Sequence, residues 1–260
     1  KSQFLSRMSH DLRTPINGIL GMLAVIEKSQ GDEERQKDCQ KKIRISAEHL
    51  LSLVNHVLQV SKLESGGAAA VEEPFDLRDI LESCIAVMSA QAEEKGIRLA
   101  LKETELHHSR LIGNPLDLKQ ILMNVIDNAL KYNRPHGSVF VRVSETGFRD
   151  GTADFRFVIE DTGIGIGEDF KKHIFEPFTQ ENQGARTDYA GIGLGMSIVK
   201  KLAEQMEGTV EVESRIGEGS VIYITVPIRV DGEKHADPAE EELDLQSNIA
   251  GMRVLLVDDN

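Results

Sequence analysis

The sequence predicts an α+β protein in which a two-helix hairpin precedes an α/β sandwich. Apolar residues among the first 65 positions recur about every 3.5 residues, the period of helices that pack side by side. From residue 74 onward, helical patterns alternate with pairs of strand patterns, and turns that contain glycine separate them. A chain of 260 residues can hold two modest domains, each with its own core.

The N-terminal domain, residues 1–65, is predicted to contain helices over residues 4–27 and 34–63. The apolar seam of the first helix contains Leu5, Met8, Leu12, Ile16, Ile19, Leu23 and Ile26. A single hairpin cannot bury two broad apolar faces, because chains below about 70–80 residues rarely gain enough stability from one core. We therefore expect two chains to form a dimeric four-helix bundle.

The second domain is predicted to span residues 74–230, after a linker at residues 66–73. Its predicted helices cover residues 77–95, 116–132 and 194–206. Its predicted strands cover residues 97–101, 110–113, 139–143, 155–159, 209–214 and 220–226. Because adjacent strands alternate with helices, we expect a mixed sheet that helices cover on one face. Cys84 lies on the apolar stripe of the first of these helices and is predicted to be a core residue.

The C-terminal end of the chain is predicted to contain an acidic linker and a short buried strand. Residues 231–250 carry seven Asp/Glu and one Lys, so residues 231–251 are interpreted as a solvated linker. Residues 252–260 return to an apolar pattern and end in two acids followed by Asn260. A stray hydrophobic tail is the alternative interpretation of this segment.

Charge and composition restrict the classes of function. The net charge of −13 argues against nucleic-acid binding as the main role. The two cysteines lie far apart without metal-ligand spacing, which fits a reducing, cytoplasmic compartment. The sequence has no apolar stretch of bilayer length. It begins without Met, so we interpret it as a fragment whose parent protein has room upstream for a membrane anchor or a sensor.

The first chemical motif is the segment Ser-His-Asp-Leu-Arg-Thr-Pro at residues 9–15. Helical periodicity predicts that His10 faces away from the apolar seam, and that Arg13 and Thr14 share its face. Arg13 could stabilise phosphate charge, and Thr14 could orient a water molecule. Asp11 could accept a hydrogen bond from one ring nitrogen of His10, which fixes the neutral tautomer and leaves the other nitrogen free to attack phosphorus.

A second set of polar residues lies on the predicted helix at residues 116–132. Asn124, Asn128 and Lys131 recur at i, i+4 and i+7, so they form one stripe beside Tyr132. Amide oxygens suit Mg²⁺, and a lysine suits phosphate. An ordinary solvated helix face with two asparagines is the alternative for this spacing.

Two glycine-containing segments complete the pattern. The first, Asp-Thr-Gly-Ile-Gly, places Asp161 at a strand end, with Gly163 and Gly165 allowing a close approach of the backbone to a flat base. The second begins a helix and contains Gly191, Gly193, Leu194 and Gly195, where exposed backbone amides favour phosphate. Between them, residues 179–190 have the composition of a mobile lid and include Arg186, a candidate phosphate contact. Phe175 and Phe178 are expected either to anchor this lid or to pack in the core.

These five motifs, in this order, resemble the transmitter core of a sensor histidine kinase. The resemblance implies a dimerisation and phospho-acceptor domain, followed by an ATP-binding domain of the Bergerat type. It implies that ATP with Mg²⁺ phosphorylates His10, that Asn128 binds the metal with help from Asn124, and that Asp161 reads the adenine. Residues 252–260 resemble the first strand of a receiver domain, as in a hybrid kinase. A receiver Asp, in the same chain or a separate one, would then accept the phosphoryl group.

Two alternatives remain open from the sequence. A gyrase- or chaperone-type ATPase would share the sandwich, but such enzymes typically have a glutamate where Asn124 stands. A non-catalytic, nucleotide-binding dimerisation scaffold would share both domains. Thr162 stands where the family often has Asn, and Ile192 and Met196 replace its commoner Thr and Leu.

Overall fold

The computed structural model of the chain describes residues 2–29, 32–64, 72–102, 106–177, 179 and 193–232. At residues 2–11, 48, 49, 52, 53 and 55–64 it describes the backbone alone. The predicted acidic linker beyond residue 232 and the receiver-like strand at residues 252–260 lie outside the described residues, as does most of the predicted linker at residues 66–73.

The N-terminal region forms two long helices, α1 (Ser2–Lys28) and α2 (Glu33–Glu64), that pack against each other. Asp32 begins α2, because its Oδ1 accepts a hydrogen bond from the backbone N–H of Arg35 at 3.1 Å. Pro15 lies inside α1 and is buried. Several apolar side chains of the pair stay exposed in the single chain, including Ile16 at 41% and Leu23 at 44%. Both belong to the predicted seam.

The second region is a seven-stranded sheet with four helices in the same part of the chain. Its strands are β1 (Glu73–Asp76), β2 (Arg98–Leu101), β3 (Arg110–Gly113), β4 (Ser138–Arg149), β5 (Thr152–Asp161), β6 (Thr209–Arg215) and β7 (Gly219–Val230). Its helices are α3 (Leu77–Glu94), α4 (Pro115–Lys131), α5 (Glu168–Lys171) and α6 (Gly195–Gln205).

The sheet is mixed, as predicted. The strand order is β1-β3-β7-β5-β4-β2, and β6 pairs with the first half of β7. Only the pairing of β2 with β4 is parallel among the described strands, and the others are antiparallel. The long strand β7 lies at the centre, since it pairs with β5 on one side and with β6 and β3 on the other.

The core lies between one face of the sheet and the helices α3, α4 and α6. Alternate residues of β4 and β5 are buried there, as their polar–apolar alternation predicts: Val139, Val141, Val143, Phe155, Phe157 and Ile159. Cys84 is buried in the same core, which confirms its predicted position. No helix within the described residues is long and apolar enough to cross a bilayer.

Two elements were not predicted. The strand β1 pairs antiparallel with β3 at the edge of the sheet. It contains Pro74, and a proline usually indicates the end of a strand. The helix α5 has four residues, too few for a helical period to be visible. The turn between β4 and β5 is also shorter than predicted. Asp150 and Gly151, with φ of 52° and 78°, form a two-residue hairpin turn, and a bulge between Glu145 and Gly147 lets β4 continue to Arg149.

Candidate functional site

The polar stripe of α4 faces the beginning of α6. A Cβ atom placed on Gly195 would lie 3.7 Å from Asn124 Oδ1 and 3.7 Å from Asn128 Nδ2. Gly195 is the first residue of α6, and its N-cap residue Leu194 makes no side-chain capping bond. The first turn of α6 therefore lies beside the two asparagines, and its backbone N–H groups form the positive end of the helix dipole. The structure thus brings together three residues, Asn124, Asn128 and Gly195, that the sequence placed in two separate motifs.

Asn124 carries a buried polar atom that lacks a partner. Its Nδ2 is the one buried side-chain nitrogen or oxygen without a hydrogen bond among the described residues. A buried donor without an acceptor costs roughly 1–3 kcal/mol, so such groups are usually satisfied by a ligand or water. The cradle between Asn124, Asn128 and Gly195 therefore fits a bound phosphate or a hydrated metal ion. The N–H groups of this cradle suit a phosphate, and its side-chain amide oxygens suit a metal ion.

Lys131 and Tyr132 end α4 next to this cradle. The Nζ atom of Lys131 lies 5.0 Å from the centre of the Tyr132 ring. Burial lowers the pKa of Lys131, and the nearby carboxylate of Asp127 opposes that change. Burial also raises the pKa of the Tyr132 hydroxyl. By surface area Lys131 is half-buried, whereas Tyr132 remains 38% exposed.

Asp161 ends β5, and the loop that follows it is tightly constrained. Its Oδ1 accepts a hydrogen bond from the backbone N–H of Gly163 at 2.7 Å. Burial raises the pKa of the Asp161 carboxyl, and hydrogen bonds from Gly163 and Ser220 oppose this change. A carboxylate held in this way can accept a hydrogen bond from an exocyclic amine.

The two glycines of this loop are required for reasons of space. A Cβ atom on Gly163 would lie 2.4 Å from the carbonyl oxygen of Tyr132. Gly165 has φ of 72°, and its Cβ would lie 1.9 Å from the carbonyl oxygen of Arg215. The loop therefore packs against the end of α4 on one side and the β6–β7 hairpin on the other. The predicted role of these glycines, a close approach of the backbone to a flat base, stays a prediction.

Three residues that were not predicted to belong to the site hold the loop. Asn133 is buried and donates from Nδ2 to the carbonyl oxygen of Ser138 at 3.1 Å. The Thr162 hydroxyl accepts from the backbone N–H of Ser138 at 2.9 Å. Ser220 lies opposite Asp161 in the pairing of β5 with β7, next to its carboxylate. The dipeptide Tyr-Asn after a helix was the available signal for Asn133, but its partners are distant in sequence.

The structure describes only part of the N-terminal motif. His10 and Asp11 lie within α1, and their side chains are outside the described residues. Arg13 and Thr14 are exposed on the same helix.

Of the remaining predicted positions, some lie within the described residues and others lie outside them. Phe175 is half-buried against the core, with the Nζ of Lys200 5.8 Å from its ring centre. Gly193 has φ of 70° just before α6. Phe178, Arg186 and Gly191 lie outside the described residues, with most of the predicted lid.

Two protein-family models match the chain. The His Kinase A (phospho-acceptor) domain matches residues 1–66, and the histidine kinase-, DNA gyrase B- and HSP90-like ATPase domain matches residues 113–230. The chain belongs to the sensor histidine kinase family. This confirms the predicted resemblance and assigns the two regions to the two domains of a histidine kinase transmitter core.

Curated histidine kinases are similar over the whole chain. The sensor protein GacS of Pseudomonas syringae pv. syringae is 35% identical over 261 residues, which cover 99% of this chain and 28% of GacS. The autoinducer 2 sensor kinase/phosphatase LuxQ of Vibrio parahaemolyticus is 35% identical over 271 residues, which cover 100% of this chain and 30% of LuxQ. The chain therefore spans less than a third of the length of these histidine kinases.

Solved structures confirm the fold. The crystal structure of full-length ShkA in complex with AMPPNP has a TM-score of 0.63 and 32% identity, and the match covers 88% of this chain and 46% of ShkA. The histidine kinase AdeS of Acinetobacter baumannii has a TM-score of 0.61 at 22% identity, and the match covers 84% of this chain and 96% of AdeS. The second similarity concerns the fold alone.

Proposed function

We propose that this chain is an ATP-dependent protein histidine kinase that phosphorylates His10. The observation that carries the proposal is the cradle of Asn124 and Asn128 against the uncapped first turn of α6. Such a cradle can hold a triphosphate, because N–H donors and a helix N-terminus both favour negative charge. The carboxylate of Asp161, at the start of the loop that follows β5, would accept a hydrogen bond from the exocyclic amine of adenine. Leu194 and Gly193 would line the phosphates, as would Gly191.

Phosphoryl transfer itself would use the N-terminal motif. One ring nitrogen of His10 attacks the γ-phosphorus, and the new N–P bond forms as the P–O bond to ADP breaks. The proton on the other ring nitrogen is held by Asp11, and Arg13 balances charge on the transferred group. Mg²⁺, bound through Asn128 with Asn124 assisting, would neutralise charge on the phosphates. Lys131 and Tyr132 would contact the nucleotide at the end of α4.

The proposal includes two protein partners. A second copy would cover the partly exposed seam of α1 and α2, which includes Ile16, Leu23 and Val54. A response-regulator receiver would accept the phosphoryl group on an Asp. A cytoplasmic setting is also part of the proposal, supported by the two free, buried cysteines.

Dephosphorylation of the receiver is a second proposed activity. The name of LuxQ includes both kinase and phosphatase, and Thr14 is exposed on α1 four residues after His10. Its hydroxyl could orient the attacking water. We expect Thr14→Ala to lengthen the lifetime of a phosphorylated receiver, whereas Thr14→Ser keeps it short. Equal lifetimes for wild type and Thr14→Ala would remove this activity from the proposal.

Labelling with γ-labelled ATP and Mg²⁺ tests the kinase proposal. We expect label that is lost in acid and stable in base, and that is absent from His10→Gln. Nucleotide binding, measured separately by calorimetry, should be the same in both proteins. Binding without label in wild type would favour the scaffold alternative. Phosphate release without label in either protein would favour the ATPase alternative.

A further inference from the structure

The sheet has a second face that none of the described helices covers. The helices α3, α4 and α6 contact the strands from one side, where the alternate residues of β4 and β5 are buried. The opposite face carries a groove of about 800 Å³. Residues that line it include Lys102, Arg142, Ser144, Arg156, Val158 and Tyr223. We refer to this feature as the basic groove.

Three cationic residues of the basic groove lie on neighbouring strands. Lys102 directly follows β2 and donates its backbone N–H to the carbonyl oxygen of Val141, so it lies beside Arg142 on β4. Arg142 pairs with Val158 on β5, and Arg156 is two residues further along β5 on the same face. Like charges at adjacent cross-strand positions are destabilising, typically by some tenths of a kcal/mol. Lys102 and Arg142 are neighbours of this kind, whereas Arg156 lies opposite Ser144 and diagonally from Arg142.

Carboxylates on the same face of the sheet balance part of this positive charge, namely Glu160 on β5 and Glu211 and Glu213 on β6. None of these three lines the basic groove. Glu160 pairs with Arg142 at 3.0 Å, and both side chains remain about half exposed, at 39% and 47%. Lys102 and Arg156 form no salt bridge with a described carboxylate. They lie instead over aromatic rings, at 3.9 Å from the centre of Phe140 and 4.6 Å from that of Tyr223.

The aromatic rings hold these cations in place. A guanidinium group stacked on a ring keeps its N–H groups directed outward at its edge, which suits a carboxylate. The Tyr223 hydroxyl donates to Glu213 at 3.3 Å, which orients the ring under Arg156. The cationic side chains of the basic groove are therefore ordered before a partner binds. Part of the entropic cost of ordering them arises on folding rather than on binding.

We propose that the basic groove binds an acidic segment of another polypeptide. The cations extend from β2 across β4 to β5, a distance of about 10 Å at roughly 4.8 Å between strands. One small anion cannot contact both ends of that row. In an extended peptide, alternate side chains lie on one side about 6.5–7 Å apart, so two or three alternating carboxylates match the row.

Nucleic acid is a poorer fit to the same groove. Lys102 and Arg156 already cover the two rings on which bases would stack. The groove lies on the side of the sheet away from α4 and α6, so it is predicted to bind its partner independently of nucleotide.

Fluorescence anisotropy with a labelled peptide of about six Glu-Gly repeats tests this inference, because the glutamates alternate along the peptide. The measurement is made at low ionic strength, where salt screens the charges least. The test variant is Lys102→Gln/Arg156→Gln. The matched control is Lys41→Gln/Arg78→Gln, which removes one exposed Lys and one exposed Arg from α2 and α3 and gives the same net charge. We expect at least about a tenfold loss of affinity in the test variant only, the usual scale for charged hydrogen bonds. ATP binding should be retained in both variants.

Three results would overturn the inference. The first is equal peptide affinity in wild type and Lys102→Gln/Arg156→Gln. The second is an equal loss in both double variants, or equal binding of a Gln-Gly peptide, which would show general charge attraction or nonspecific contact. The third is full displacement of the Glu-Gly peptide by inorganic phosphate at the same concentration of negative charge, which would show a small-anion site.

Discussion

Replacement of Gly163 by alanine tests how tightly the Asp161 loop is packed. The added Cβ would lie 2.4 Å from the carbonyl oxygen of Tyr132 and 2.7 Å from Asp161 Oδ1. Ordinary contacts at such positions begin near 3.4 Å, so the loop or the end of α4 must move by about 1 Å. Overpacking of this kind costs about 1–3 kcal/mol of the free energy of unfolding. For a domain of this size, that corresponds to a decrease in Tm of about 2–4 °C per kcal/mol.

The same displacement should weaken nucleotide binding. Asp161 Oδ1 accepts from the N–H of Gly163, so a moved loop carries the carboxylate with it. A misplacement of about 1 Å in a positioned group can reduce function by up to about 10²-fold. We therefore expect Gly163→Ala to reduce ATP affinity by at least about tenfold, as measured by calorimetry beside thermal unfolding.

A second glycine provides the control for this experiment. Gly21 lies in α1, and a Cβ added there meets nothing within 4 Å. Gly21→Ala should stabilise its helix by about 0.8–1 kcal/mol and leave ATP affinity unchanged. If Gly163→Ala unfolds at the same temperature as wild type and binds ATP equally well, the reasoning from this contact is wrong.

Three further substitutions test the site. We expect Asn128→Ala to abolish Mg²⁺-dependent phosphorylation while size-exclusion chromatography still shows a dimer; unchanged labelling would contradict the metal assignment. Burial raises the pKa of Asp161, so ionisation of its carboxyl lowers the free energy of unfolding. This loss of stability is absent at acidic pH and develops as the pH rises through the folded-state pKa of Asp161. Asp161→Asn should therefore raise the free energy of unfolding at neutral pH but not at acidic pH in chemical denaturation, and it should weaken ATP binding; lower stability at neutral pH would refute this sign. Thr162→Val removes the acceptor for the N–H of Ser138, and we expect weaker ATP binding that Thr162→Ser restores. Failure of serine to restore binding would show that the hydroxyl has no positioning role.

The helices were predicted well because their apolar periods are long. The predicted ranges 4–27, 34–63 and 77–95 agree closely with α1, α2 and α3, since each contains several turns of regular spacing. The strands of the central sheet were predicted for a similar reason, because one buried face enforces alternation. The edge strand β1 was missed, since it is short, contains Pro74 and is only partly buried. The roles assigned to His10, Asn128 and Asp161 remain predictions.

The family, the order of the two domains and the residue types of the candidate site could be inferred before the fold was known. These features depend on residue types and their spacing along the chain, which do not require folding. Which of these residues meet depends instead on how the helices and strands pack. Asn124 and Gly195 lie 71 positions apart and share a cradle only because α4 and α6 pack on the same face of the sheet. The basic groove is also a tertiary feature, because strand register places Lys102, Arg142 and Arg156 side by side.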